Sequence, residues 1–87
     1  MEQRKITVEA GSLEELQKLL GTFDENLNIV TRETGVTASV EGAGIRISGE
    51  DESCLLAARV LEGILKLIRA GESVDKNRIV YCIELAR

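Results

Sequence analysis

Carboxylates are the groups in this sequence whose spacing first suggests chemistry: Glu14-Glu15, Asp24-Glu25 and Glu50-Asp51-Glu52 set acids side by side that can share a proton or hold a cation. Paired carboxylates do acid–base work when burial or mutual repulsion drives their pKa values apart. All three groups fall where helices are expected to start, and there the helix dipole stabilises a carboxylate by about 0.3–1 kcal/mol. That ordinary role accounts for them. The chain has no His, which removes imidazole bases, Ser-His-Asp triads and His-ligated zinc, and Cys54 and Cys82 are too few for a four-cysteine site. No base, nucleophile and orienting group can be assembled, so the sequence assigns no catalytic residue, metal ligand or cofactor site. A non-enzymatic chain is expected.

The stretch better suited to binding is Gly21-Thr22-Phe23-Asp24-Glu25. A glycine there admits close approach of another backbone, the Thr22 hydroxyl and the amides of a following helix attract anions, and Phe23 can stack on a base. Lys18, Arg32 and Arg46 can add a modest basic rim. The plain alternative is a capped helix–turn–helix corner, with Phe23 anchoring the helix start and Asp24 and Glu25 satisfying its dipole. A net charge of -4, with eleven basic residues scattered along the chain, speaks against a strong nonspecific grip on nucleic acid, which needs grouped Lys and Arg.

The elements that must position this turn follow from periodicity. Lys5 to Glu9 alternates as a short edge strand, with Ile6 and Val8 on one face. Ser12 and Glu15 have the form of a capping box opening a helix whose apolar face is Leu13, Leu16, Leu19 and Leu20, with Glu14 and Lys18 paired outside it and Gly21 at its end. Thr22 and Glu25 repeat the signature at once, and Phe23, Leu27 and Val30 carry a second helix to Gly35. Val36 to Glu41 and Ile45 to Gly49 alternate again, and the three residues Gly42-Ala43-Gly44 between them predict a β-hairpin.

Asp51 to Ala70 predicts one helix of about 20 residues, N-capped by Asp51 and closed by Gly71. Cys54, Ala57, Ala58, Leu61, Ile64, Leu65 and Ile68 form its main apolar stripe, and Leu56, Val60 and Leu67 a second beside it, so two neighbours are expected along it. The segment 78–84 is rich in β-favouring residues, yet the spacing of Ile79, Cys82, Ile83 and Ala86 favours a last helix, able to cover the second stripe. The two cysteines lie far apart on apolar faces and are expected as reduced thiols; with no secretory signal or membrane-spanning run, the cytosol is the expected compartment. The 87 residues are long enough for a single hydrophobic core, and one α+β domain over 1–87 is expected.

The order strand, helix, helix, strand, strand, helix, plus one added helix, resembles a type I KH (K-homology) domain. The run from Leu20 through Gly35-Val36 is similar to the KH segment in which a G-x-x-G turn leads into a helix ending in E-T-G, here Glu33-Thr34-Gly35. In nucleic-acid-binding KH domains that turn clamps four nucleotides. Gly21 fits its first glycine, whereas Asp24 occupies the place of the second, and a carboxylate about 4 Å from a phosphate is opposed by several kcal/mol at an effective dielectric near 20.

A closer resemblance is to the amino-terminal domain of PhoH-like proteins, the phosphate-starvation-inducible P-loop ATPase family. It rests on Gly21-x-Phe23-Asp24-Glu25-Asn26-Leu27, then Glu33-x-Gly35-Val36, the glycine hairpin followed by Ile45-x-Ile47-x-Gly49, and the long aliphatic helix closed by Gly71. The resemblance implies a KH-like accessory domain that precedes a RecA-like ATPase linked to RNA metabolism. ATP and Mg2+ are then implied for that absent domain; here no G-x-x-x-x-G-K-[ST] occurs, and Gly42-Ala43-Gly44 lacks the lysine. Glu41 stands where family members often carry a basic residue. The implied function is weak contact with single-stranded RNA or substrate guidance through Gly21, Thr22, Phe23, Lys18, Arg32 and Arg46. The alternative is a protein-interaction or oligomerisation module of that ATPase that binds no nucleic acid. The ATPase domain is the implied partner, a homo-oligomer is possible, and no membrane is involved.

Overall fold

The computed structural model describes residues 3–87. Its elements are β1 (Gln3–Glu9), α1 (Leu13–Leu20), a single 3-10 turn (Thr22–Asp24), α2 (Glu25–Thr34), β2 (Thr37–Glu41), β3 (Gly44–Glu50), α3 (Asp51–Arg69) and α4 (Lys76–Ala86). The three strands form one antiparallel sheet in the order β1-β3-β2, so β1 is an edge as expected. This is the α+β order β-α-α-β-β-α-α read from the periodicity.

Alternation puts Ile6, Val8, Ile45 and Ile47 on one face of the sheet, where α3 lies across β1 and β3. The other face carries Lys5, Thr37, Ser39, Arg46 and Ser48 and is open to solvent. In α3, Cys54, Ala57, Val60, Leu61, Ile64, Leu65 and Ile68 are buried, while Ala58, Leu56 and Leu67 are half-buried. The helix α4 packs on both α3 and α2 and buries Ile79 and Ile83. Residues 78–84 are therefore helical: β-favouring side chains lose to a spacing that sets Ile79 and Ile83 on one face, and Asp75 caps the helix by accepting from the Arg78 amide at 2.9 Å.

Local details depart from expectation where a tertiary partner outbids a local one. Asp51 is the first residue of α3 rather than its cap; β3 runs straight into the helix, extended Glu50 takes the cap position without a side-chain bond, and Asp51 pairs with Arg4 of β1. Ser12 does cap α1, accepting from the Glu15 amide at 3.1 Å, but the Glu15 carboxylate turns away from Ser12 to bind Arg69 Nε at 2.9 Å. Glu14 pairs with Lys18 at 3.5 Å as expected. Leu16 and Leu19 are buried, whereas Leu13, in the first turn, is exposed. The hairpin turn has two residues, not three: Glu41 pairs with Gly44, and Gly42 supplies the positive φ of 60° that a tight turn needs.

Cys54 is buried and Cys82 half-buried, and both are free thiols. Cys54 Sγ lies 3.4 Å from the Arg4 carbonyl oxygen, to which its thiol donates. No helix among the described residues is long and apolar enough to cross a membrane.

Candidate functional site

The turn between α1 and α2 is built from backbone conformations that side chains resist. Gly21 (φ 77°, ψ 177°) closes α1, its amide donating to the Gln17 carbonyl at 3.0 Å, and the Asp24 amide then bonds back to the Gly21 carbonyl at 3.2 Å. Between them Phe23 (φ 53°, ψ 35°) and Asp24 (φ 58°, ψ 24°) are both left-handed. Such a residue costs about 1–2 kcal/mol when it has a side chain, and Asp bears it better than an aromatic residue does. Thr22 makes no capping bond, so the second capping box expected from sequence is not formed. The tight turn after Gly21 replaces it.

Asn26 locks the corner. Its side chain is buried at the start of α2 and donates from Nδ2 to the Lys18 carbonyl at 3.4 Å, tying the last turn of α1 to the first turn of α2. A Cβ on Gly21 would lie 2.7 Å from that amide group, so glycine is required for space as well as for conformation.

The consequence for Phe23 is the reverse of a hydrophobic anchor. Its left-handed backbone turns the ring outward, and the residue is 95% exposed. One hollow is lined by Thr22, Phe23, Glu25, Asn28, Ile29, Arg32 and Lys76. A neighbouring hollow reaches from Lys18, Gly21 and Thr22 to the α3–α4 loop at Gly71 to Lys76. The structure thus brings together Gly21, Thr22, Phe23 and Arg32, with Lys18 on the flank. Arg46 is elsewhere: it lies on the open face of the sheet, paired with Glu41 at 3.2 Å, so the three expected basic residues do not form one rim.

Charges around the turn are mixed. Glu25 is held by Lys76 at 3.3 Å and Lys18 by Glu14, while among the described residues neither Asp24 nor Arg32 has an ion-pair partner. Lys76, Asn26 and Ile29 are the site residues that sequence reasoning missed. Nothing near Lys76 signals its place; it reaches the turn because α4 packs on α2. Asn26 had one available signal, a polar residue inside the apolar phase of α2. Among the described residues no group of three His, Cys, Asp or Glu side chains is placed to hold a metal ion. What the turn offers chemically is an exposed aromatic face, a guanidinium, a hydroxyl and one free carboxylate.

No family model matches this sequence, and no solved structure matches it. Curated relatives do: it is 31% identical over 74 residues to a PhoH-like protein of Bacillus subtilis, covering 85% of this chain and 23% of that relative. It is 27% identical over 67 residues to PhoH-like proteins of Mycobacterium bovis and Mycobacterium tuberculosis, covering 77% of this chain and 19% of theirs. The chain is homologous to PhoH-like proteins over most of its length and spans about a fifth of the length of these relatives.

Proposed function

We propose that this chain is a KH-like, non-catalytic accessory region of a PhoH-like ATPase and that it makes weak contact with single-stranded RNA at the α1–α2 turn. The observation that carries the reading is Phe23, an aromatic ring held out to solvent by a strained backbone, with Arg32 lining the same hollow. Unstacked bases are taken up on aromatic faces and guanidinium planes, and strained residues concentrate where function has kept them. The β-α-α-β-β-α order and the glycine turn support the KH-like assignment. Asp24 keeps the contact weak by opposing phosphate. ATP and Mg2+ belong in this reading to the remainder of the longer cytoplasmic protein.

An amide-resolved NMR titration with short single-stranded RNA tests it. Saturable shifts at Gly21, Thr22 and the strand from Val36 to Val40 are expected, fading as salt rises from low to moderate and lost in Phe23→Ala. Asp24→Gly is expected to tighten binding. A silent titration at low salt overturns the reading.

A second reading, docking to the rest of a PhoH-like protein without RNA, is favoured by exposed Val80, Tyr81 and Leu85 on α4 and by the four-fifths of the relatives' length that lies outside this homologous portion. It predicts that the remainder of such a protein, supplied separately, associates with this chain and that Tyr81→Glu abolishes the association.

A further inference from the structure

The free edge of β2 has the pattern of a seam for a second copy of this chain. The phase of the sheet follows from one bond: the Ala10 amide donates to the Ala43 carbonyl at 2.9 Å. Odd-numbered residues of the β3 strand line therefore direct their backbone groups toward β1, and Gly44, Arg46 and Ser48 direct theirs toward Glu41, Ser39 and Thr37 of β2. The N–H and C=O groups of Ala38 and Val40 are left pointing outward. The strand Thr37-Ala38-Ser39-Val40-Glu41 contains no Pro, Lys or bulge, three of the devices by which edge strands avoid pairing, and its one charge, Glu41, lies at its end. The helical layer also stops short of this edge. Val40 shares the helix-facing side with Ile45 and Val8, yet it is 46% exposed.

We infer that this edge pairs antiparallel with the same edge of a second copy, about a two-fold axis through Ser39, joining two three-stranded sheets into one of six strands. The register is self-complementary. Ala38 of each copy faces Val40 of the other, so the outward amides and carbonyls exchange bonds in two hydrogen-bonded pairs and Val40 is covered by an apolar neighbour. Ser39 faces Ser39. Glu41 faces Thr37 in a row that continues to Ser48 and Lys5, with Arg46 one row away, so acid meets a basic flank and no like charges are opposed. A five-residue seam is small by the standard of stable interfaces, so the dimer it makes is weak and is populated at high protein concentration. The seam lies on the strand that the RNA reading also uses, so the two contacts compete there; the test uses no RNA, and its failure leaves the RNA titration unaffected.

The test is site-directed crosslinking in a Cys82→Ser background, with glutathione disulfide as oxidant at high protein concentration. Ser39→Cys is expected to give a disulfide-linked dimer, since a non-hydrogen-bonded antiparallel pair has Cα atoms about 4.5 Å apart, within disulfide range. Thr37→Cys, also exposed on the same strand, faces Glu41 instead and is expected to crosslink at least about tenfold less. Adding Ala38→Pro removes an N–H that makes no bond to β3 and is expected to lower the Ser39→Cys dimer about tenfold. Val40→Lys is expected to do the same and replaces Ala38→Pro should circular dichroism show that variant unfolded. A Ser39→Cys chain that stays monomeric, equal crosslinking of the two cysteine positions, or a dimer indifferent to the edge substitution in a folded chain overturns the inference.

Discussion

Two adjacent left-handed residues with side chains, Phe23 and Asp24, are the least comfortable positions in this chain. Glycine removes the steric penalty at such a φ and returns part of the gain as unfolded-state entropy, so Asp24→Gly is expected to stabilise the fold by about 0.5–1 kcal/mol. Thermal unfolding checks this: the midpoint should rise by several degrees, whereas Asp24→Ala should give no rise. The same substitution is expected to tighten RNA, so a gain in stability without a gain in binding separates backbone strain from phosphate repulsion. Cys54 is a second case set by a single side chain. Burial pushes its thiol above the ordinary value, Asp51 adds to the shift and Arg4 opposes it. A thiol whose folded pKa is raised keeps its full contribution below the unfolded pKa and loses it as pH rises through the folded one. Stability should therefore decline above about pH 8.5, and Cys54→Ala should flatten that decline. Alkylation should reach half-buried Cys82 first and Cys54 only through unfolding.

At the scale of elements, two glycines of opposite meaning test how the helices are joined. Gly21 sits at φ 77° with the Asn26 amide 2.7 Å from where a Cβ would be, and Asn26 is fixed by its bond to the Lys18 carbonyl. Gly21→Ala is expected to cost about 1–3 kcal/mol, read as a lower urea midpoint with unchanged slope. Gly63 lies inside α3 with helical φ and nothing within 4 Å of a new Cβ. Gly63→Ala should raise stability by about 0.5–1 kcal/mol in the same assay. The helices formed where periodicity predicted them, including α4, because each carries its own apolar spacing. The place of the tight turn between α1 and α2 was legible from Gly21, but not its construction: Thr22 and Glu25 have the composition of a capping box, and the bonds that defeat it run from Gly21, Asp24 and Asn26.

Across the whole molecule, Arg69 links parts that are remote in sequence. From the last turn of α3 its guanidinium donates to Glu15 Oε1 and to the Ala10 carbonyl, each at 2.9 Å, pinning the end of the long helix to the β1–α1 connection. Arg69→Ala is expected to destabilise by about 1–2 kcal/mol, since it leaves a partly buried carbonyl without its donor. Glu15→Ala should cost less, the pair being partly exposed. A double-mutant cycle should return a coupling of about 0.5 kcal/mol, and Tm shifts of about 4–8 °C per kcal/mol make both readable in a chain of this size.

The sequence by itself determined the element order, the main buried stripe of α3, the edge position of β1 and the kinship with PhoH-like proteins, because apolar period and glycine punctuation are written locally along the chain; the faces expected for α1 and α2 hold at Leu16, Leu19, Leu27 and Val30 and fail at Leu13 and Phe23. Tertiary structure alone decided where the caps yield, which way Phe23 points and which cations share its hollow. Asp51 and Glu15 have good local partners and better distant ones, in Arg4 and Arg69. Arg32 and Lys76 line one hollow because α4 packs on α2, and Arg46 is kept from them because the pleat of β3 turns it to the open face of the sheet. Pairings of that kind depend on the direction and distance of elements far apart in sequence, which local spacing does not encode.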